Sequence, residues 1–142
     1  MLGIVLLTVS CTEDSTTQIV VLMDTDYRTP EEVDRVQARV AKMVDGDQGD
    51  MEVETWTHSF TVSDGANPDP GMVTLPATFG VLPGGDDPEQ EIVIELEALS
   101  TGSNEVLVSR RLKTKFIPGE ARLVRMLLFR ACAGQECEDG ES

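Results

Sequence analysis

Between Glu91 and Ser100 the chain alternates with a period of two. Ile92, Ile94, Leu96 and Ala98 share one face, and Glu95 and Glu97 lie on the other, with Val93 the one apolar residue on the glutamate side. A slip of one residue would bury two glutamates and expose three large aliphatics, so a strand of this kind sets its own register. Around it lie further short extended segments. Gln18–Asp24 is apolar on both faces, as a central strand should be, and Met51–Val62 alternates Trp56, His58, Phe60 and Val62 with threonines and a serine. Val73–Val81 is an irregular strand interrupted by Pro76. Val106–Phe116 places Val106, Val108, Leu112 and Phe116 on one side, and Leu123–Phe129 closes the series. Turns rich in Gly, Pro, Asn and Asp separate them. About seven strands with so little helix predict an all-β, antiparallel two-layer sandwich over residues 18–132.

One segment is ambiguous. Thr29-Pro30-Glu31-Glu32 has the form of a helix start, and Val33, Val36, Val40 and Val44 fit a helical stripe. Val36, Ala38 and Val40 also alternate with Gln37 and Arg39, as in a strand. The residues alone lean slightly to one short helix over Val33–Val44.

Ahead of this domain stands the apolar run of residues 2–10, followed at once by Cys11 and a polar stretch. The run is well short of the roughly 20 residues that span a bilayer, but it suits a cleavable signal core. Residues 1–10 read as a lipoprotein signal peptide, Cys11 as the lipidated residue and residues 11–17 as a polar tether. The pattern departs from the usual box in two places. Thr8 stands where Leu, Val or Ile is customary, and no basic residue precedes the core, the first being Arg28. A start assigned too far downstream would explain the second. The competing reading is a buried first strand ending in a free cysteine. Thr12 follows Cys11 in place of the aspartate that retains some lipoproteins in the inner membrane, which favours the outer membrane or cell surface.

The formal net charge is −15. Such a charge opposes binding to nucleic acid or to anionic headgroups, both of which need clustered positive potential. With Cys11 lipidated, Cys132 and Cys137 remain as a pair near an acidic tail, residues 133–142, and are expected to close in an oxidising compartment. A ring this small contributes only about 2 kcal/mol by loop entropy. A zinc site is excluded, because two thiolates and the distant His58 do not make a tetrahedral set.

Other candidate chemistry is thin. His58 lies between Trp56 and Phe60 with no nucleophile motif nearby, so it reads as packing. Asp45-Gly46-Asp47-Gln48-Gly49-Asp50 breaks the calcium-loop pattern at its sixth and twelfth places, Asp50 and Trp56. Gly84-Gly85-Asp86-Asp87 is a second acidic turn, and both read as solvated turns. With one Trp and one Tyr, there is little to line a sugar cleft. No metal, cofactor or catalytic residue is assigned. Residues 110–130 hold seven cations against Glu120 alone. Arg111, Lys113 and Lys115 are expected to pair across strands with Glu95 and Glu97. Arg110 points inward by alternation, so either a bulge turns it out or a carboxylate meets it inside.

Taken together, several stretches have the look of a known group. They are Cys11, Ile19 to Asp26, Pro30 to Asp34, Leu75 to Val81 with Pro83, Val108 to Arg111, Phe116 to Gly119 and Leu127 to Cys132. In these the chain resembles the small secreted lipoproteins of myxobacteria and related deltaproteobacteria. The resemblance implies a fibronectin- or immunoglobulin-like sandwich, a strand over Val33–Val44, and exposure in the periplasm or at the surface. It brings no reaction and no catalytic residue. The expected function is a non-enzymatic, lipid-anchored surface interaction or structural module of the cell envelope, with the membrane and an envelope or extracellular molecule as partners. The alternatives are a cation-dependent adhesive domain and a small exported enzyme using carboxylates or His58.

Overall fold

The structure is a computed structural model that describes residues 16–65, 69–85 and 87–134. Among these residues eight strands form two sheets: β1 (Gln18–Thr25), β2 (Val33–Gly46), β3 (Gly49–Val62), β4 (Met72–Val73), β5 (Ala77–Val81), β6 (Glu91–Ser100), β7 (Val106–Lys115) and β8 (Ala121–Leu128). The smaller sheet has the order β5-β1-β8 and the larger β4-β3-β2-β6-β7. The expected all-β sandwich is therefore present. Helix among the described residues is confined to a single 3-10 turn at Arg130–Cys132. No helix among the described residues is long and apolar enough to cross a membrane.

Two pairings are parallel. β4 meets β3 over two residues, and β8 runs beside β1 from Gln18–Ala121 to Thr25–Leu128. The latter joins the first and last strands, a neighbour relation that no local residue pattern records.

β2 is a strand, as the family resemblance implied, and the helical stripe does not form. Its valines are β-branched and suit a pleated surface, and it hydrogen-bonds on both sides, to β3 and β6. Val36, Ala38 and Val40 enter the core while Gln37 and Arg39 face outward. The apparent helix start is a turn. The Arg28 backbone N–H donates to the Glu32 carboxylate at 2.8 Å, and the Glu32 N–H donates back to the Arg28 carbonyl at 2.9 Å. At Pro76 the predicted irregular strand divides into β4 and β5, with a cis Leu75–Pro76 peptide between them.

The core lies between the sheets. Ile19, Val21, Met23, Met126 and Leu128 of the smaller sheet meet Val36, Ala38, Val40, Ile92, Ile94, Leu96, Ala98 and Val108 of the larger. The inward face of β6 is as the alternation requires. Val93 is not: it lies on the glutamate face yet is 0% exposed. It sits between Ala41 and Lys113, inside a lattice of ion pairs on the outer face. Those pairs are Lys113–Glu91 at 2.9 Å, Arg39–Glu52 and Arg39–Glu54 each at 3.3 Å, Arg111–Glu95 at 3.9 Å, and Arg111–Glu52. The alkyl stems of long charged side chains exclude water from an apolar neighbour beneath them. Val93→Ala should therefore cost about 2 kcal/mol in a denaturant titration, where a solvent-facing valine would cost almost nothing.

The Arg110 question resolves in neither expected way. The bulge is further along, where Ala98 pairs with Val108 but Leu99 pairs with Val106, leaving Leu107 as the extra residue. That bulge turns Val106 outward, to 44% exposure, against the sequence reading. Arg110 stays on the inner face opposite Leu96, half-buried. Its guanidinium donates to the Leu127 carbonyl at 3.4 Å and to the Cys132 sulfur at 3.7 Å. Among the described residues no carboxylate pairs with it.

Candidate functional site

The two sheets are unequal in length, and this opens one end of the sandwich. β2 and β3 each have 14 residues, against eight in β1 and five in β5. The inner face of the β2–β3 hairpin runs on where the smaller sheet does not follow. Met51 and Val53, on that face, are left 54% and 37% exposed, and Leu82 just after β5 is 61% exposed. A bulge sets the geometry. Val40 pairs with Trp56 but Ala41 pairs with Glu54, so Thr55 is the extra residue, its hydroxyl donating to the Val40 carbonyl at 3.1 Å. The bulge keeps Trp56 in phase with the inward residues above it and brings Val53 and Met51 into phase below it.

Aromatic rings gather at this opening. Trp56 stacks on His58 at 5.7 Å between centroids and meets Phe79 of β5 at 5.5 Å. Phe60 lies 4.6 Å from His58 and 5.6 Å from Phe79. Below them is a pocket of about 620 Å³, within the ~300–1,000 Å³ typical of small-molecule sites. Its walls include Val40, Trp56, Phe79, Val81, Leu82, Ile92 and Phe116, with Gly84 and Gly85 on the loop after β5.

Three polar side chains also line it, Lys42, Thr55 and Gln90. Thr55 is engaged as described. The Gln90 amide donates to the Met43 and Glu91 carbonyls at 2.7 and 2.9 Å. Lys42 alone has no hydrogen-bond or ion-pair partner among the described residues, although it is half-buried. Alternation puts it on the inner face with Val40 and opposite Val53.

The sequence-predicted residues are distributed as follows. Cys11 and Cys137 lie outside the described residues. Cys132 is half-buried and has no disulfide partner among the described residues. His58 is exposed, stacked among the rings, and not part of the pocket wall. Asp45–Asp50 forms the tip of the β2–β3 hairpin, and the Gln90–Met43 bond holds the second acidic turn at the same end of the sandwich. Asp86 lies outside the described residues. Among those described, no three His, Cys, Asp or Glu side chains gather closely enough to hold a metal ion.

The basic segment folds into intramolecular contacts. Of the expected pairs with Glu95 and Glu97 only Arg111–Glu95 forms; Lys113 pairs instead with Glu91, and Lys115 meets no carboxylate among the described residues. Arg130 lies 4.4 Å over the Tyr27 ring and pairs with Glu32. Arg122 donates to the Lys115 carbonyl at 2.9 Å. Glu97 gains no direct cation, since its neighbours across the strands are Gln37 and Ser109. Burial, and secondarily the charge of Glu95, push its carboxyl above the usual carboxylate range. A raised carboxyl is penalised only when ionised, so the penalty is present above its folded value and absent at low pH. Glu97→Gln should raise the melting temperature at neutral pH, with the gain vanishing below about pH 4. Paired thermal scans across that range check this.

Compared with models of known protein families and with curated proteins, the chain matches none. The pocket itself was not legible in the sequence. Lys42, Phe79, Leu82 and Gln90 stand on three separate segments. What joins them is the bulge at Thr55 and the unequal strand lengths.

Proposed function

We propose that the protein is an exported, lipid-anchored module of the cell envelope that works by binding rather than catalysis, with the open aromatic end as its contact surface. The observation that carries this reading is where the chain enters the fold. Ile19, next to the start of β1, pairs with Val81, and the Gln18 side chain packs beside Gly80; both partners line the pocket. The Thr17 hydroxyl accepts from the Gly119 N–H at 2.8 Å, securing that entry point. Cys11 is seven residues from Gln18, a span of at most roughly 25 Å. A lipid on Cys11 would hold the apolar opening close to the bilayer and leave the far end of the sandwich, at Tyr27 and Arg130, directed away. The outer membrane or cell surface is the proposed location.

The test is fractionation of the native host. The protein should sediment with membranes and Cys11→Ser should release it to the soluble fraction. Equal membrane association of both forms would overturn the anchor.

A further inference from the structure

Lys42 is a half-buried lysine on an apolar pocket wall, with no carboxylate partner among the described residues. On the opposite face of the same sheet Arg39, Arg111 and Lys113 find glutamates, and Arg110, half-buried on the inner face, finds the Leu127 carbonyl and the Cys132 sulfur. Lys42 finds none of these, and its surroundings are Val40, Trp56, Ile92 and the other apolar walls of the pocket. A cation on the wall of an apolar pocket can make a charge-assisted hydrogen bond to an anionic ligand, and here the protein supplies no such partner among its described residues.

We propose that this pocket binds a single-chain anionic amphiphile of the long-chain carboxylate class. Its head would pair with the Lys42 ammonium and its alkyl chain would lie against Trp56, Phe79, Ile92 and Phe116. The wall chemistry selects this class. A sugar needs many hydrogen-bonding groups, and Thr55 and the Gln90 amide are already engaged with backbone carbonyls. A purely apolar ligand would leave Lys42 unmatched and further desolvated. The apolar walls suit an alkyl chain, and the exposed Met51 and Val53 on the same inner face add further apolar surface. This proposal rests on the open end being the contact surface, not on the lipid at Cys11.

Trp56 is the only tryptophan in the chain, so intrinsic fluorescence reports on the pocket directly. The full-length chain carrying Cys11→Ser, which takes no lipid of its own, is titrated with dodecanoate below micelle formation, with dodecanol, with a soluble oligosaccharide and with phosphatidylglycerol vesicles. Dodecanoate should give a saturable blue shift. Lys42→Gln should weaken that binding by at least about tenfold, the size of a charge-assisted hydrogen bond, while leaving dodecanol unchanged. Lys42→Arg should retain most of the affinity, and circular dichroism should show all variants folded. The proposal is overturned by no saturable shift with dodecanoate, by equal affinity of the Lys42→Gln and parent chains, by a shift with vesicles alone, or by a shift with the oligosaccharide alone. Membrane fractionation of Cys11→Ser is independent of each of these results, so failure of the anchor and failure of the pocket are separately visible.

Discussion

Ile94→Ala should lower the melting temperature by roughly 10 °C or more, while Glu95→Ala, one residue away, should barely change it. Ile94 is 0% exposed and lies between Val40 on β2 and Leu112 on β7, at the middle of the larger sheet's inner face. Removing its side chain loses transfer energy and leaves a cavity that flanking strands cannot close. The cost is about 2–5 kcal/mol, a large part of the roughly 5–15 kcal/mol that holds a domain together. Glu95 points the other way. Its contact with Arg111 is 3.9 Å long and partly solvated, and such pairs contribute at most about 1 kcal/mol. Denaturant titration of the two variants compares them on one scale. Equal, mild effects would mean that β6 does not hold this register.

Phe116→Ala should be at least as damaging, at about 3–5 kcal/mol. Phe116 follows β7 at the point where the chain crosses towards the smaller sheet, and it is 2% exposed. Its backbone N–H reaches the Gln90 carbonyl at 3.5 Å, and its ring closes one wall of the pocket. Truncation would merge the pocket with the core. Ile117→Ala is the control, because Ile117 is 37% exposed and has less buried area to lose. Chemical denaturation should separate the two variants by at least about 2 kcal/mol. Similar midpoints would show that Phe116 is not part of the packed core.

How far the sequence reached depends on the range of the interactions involved. β6 was legible because alternation is a local property and its inward face is uniform. Val93 was not, since it is buried between Ala41 and Lys113 on neighbouring strands, and alternation carries no information about what lies above a residue. For β2, valines at both helical and strand spacing left the residues undecided, and hydrogen bonding to two neighbours settled the matter. Alternation puts Arg110 on the correct face, but neither of the two outcomes it allows, a bulge turning Arg110 out or a carboxylate inside, occurs. An extra residue at Leu107 can be recognised only against the partner strand. The pocket was the least legible feature. His58 and Trp56 stand out in the sequence by their rarity, whereas Lys42 has no sequence signal at all. It becomes distinctive only when the fold places it among apolar walls.

The central claim is that this sandwich is held to a membrane through Cys11, and intact-mass and peptide mass spectrometry of the protein from its native envelope tests it most directly. The account predicts that residues 1–10 are missing and that the N-terminal peptide begins at Cys11 with a diacyl or triacyl mass. An unmodified peptide beginning earlier in the chain would contradict it.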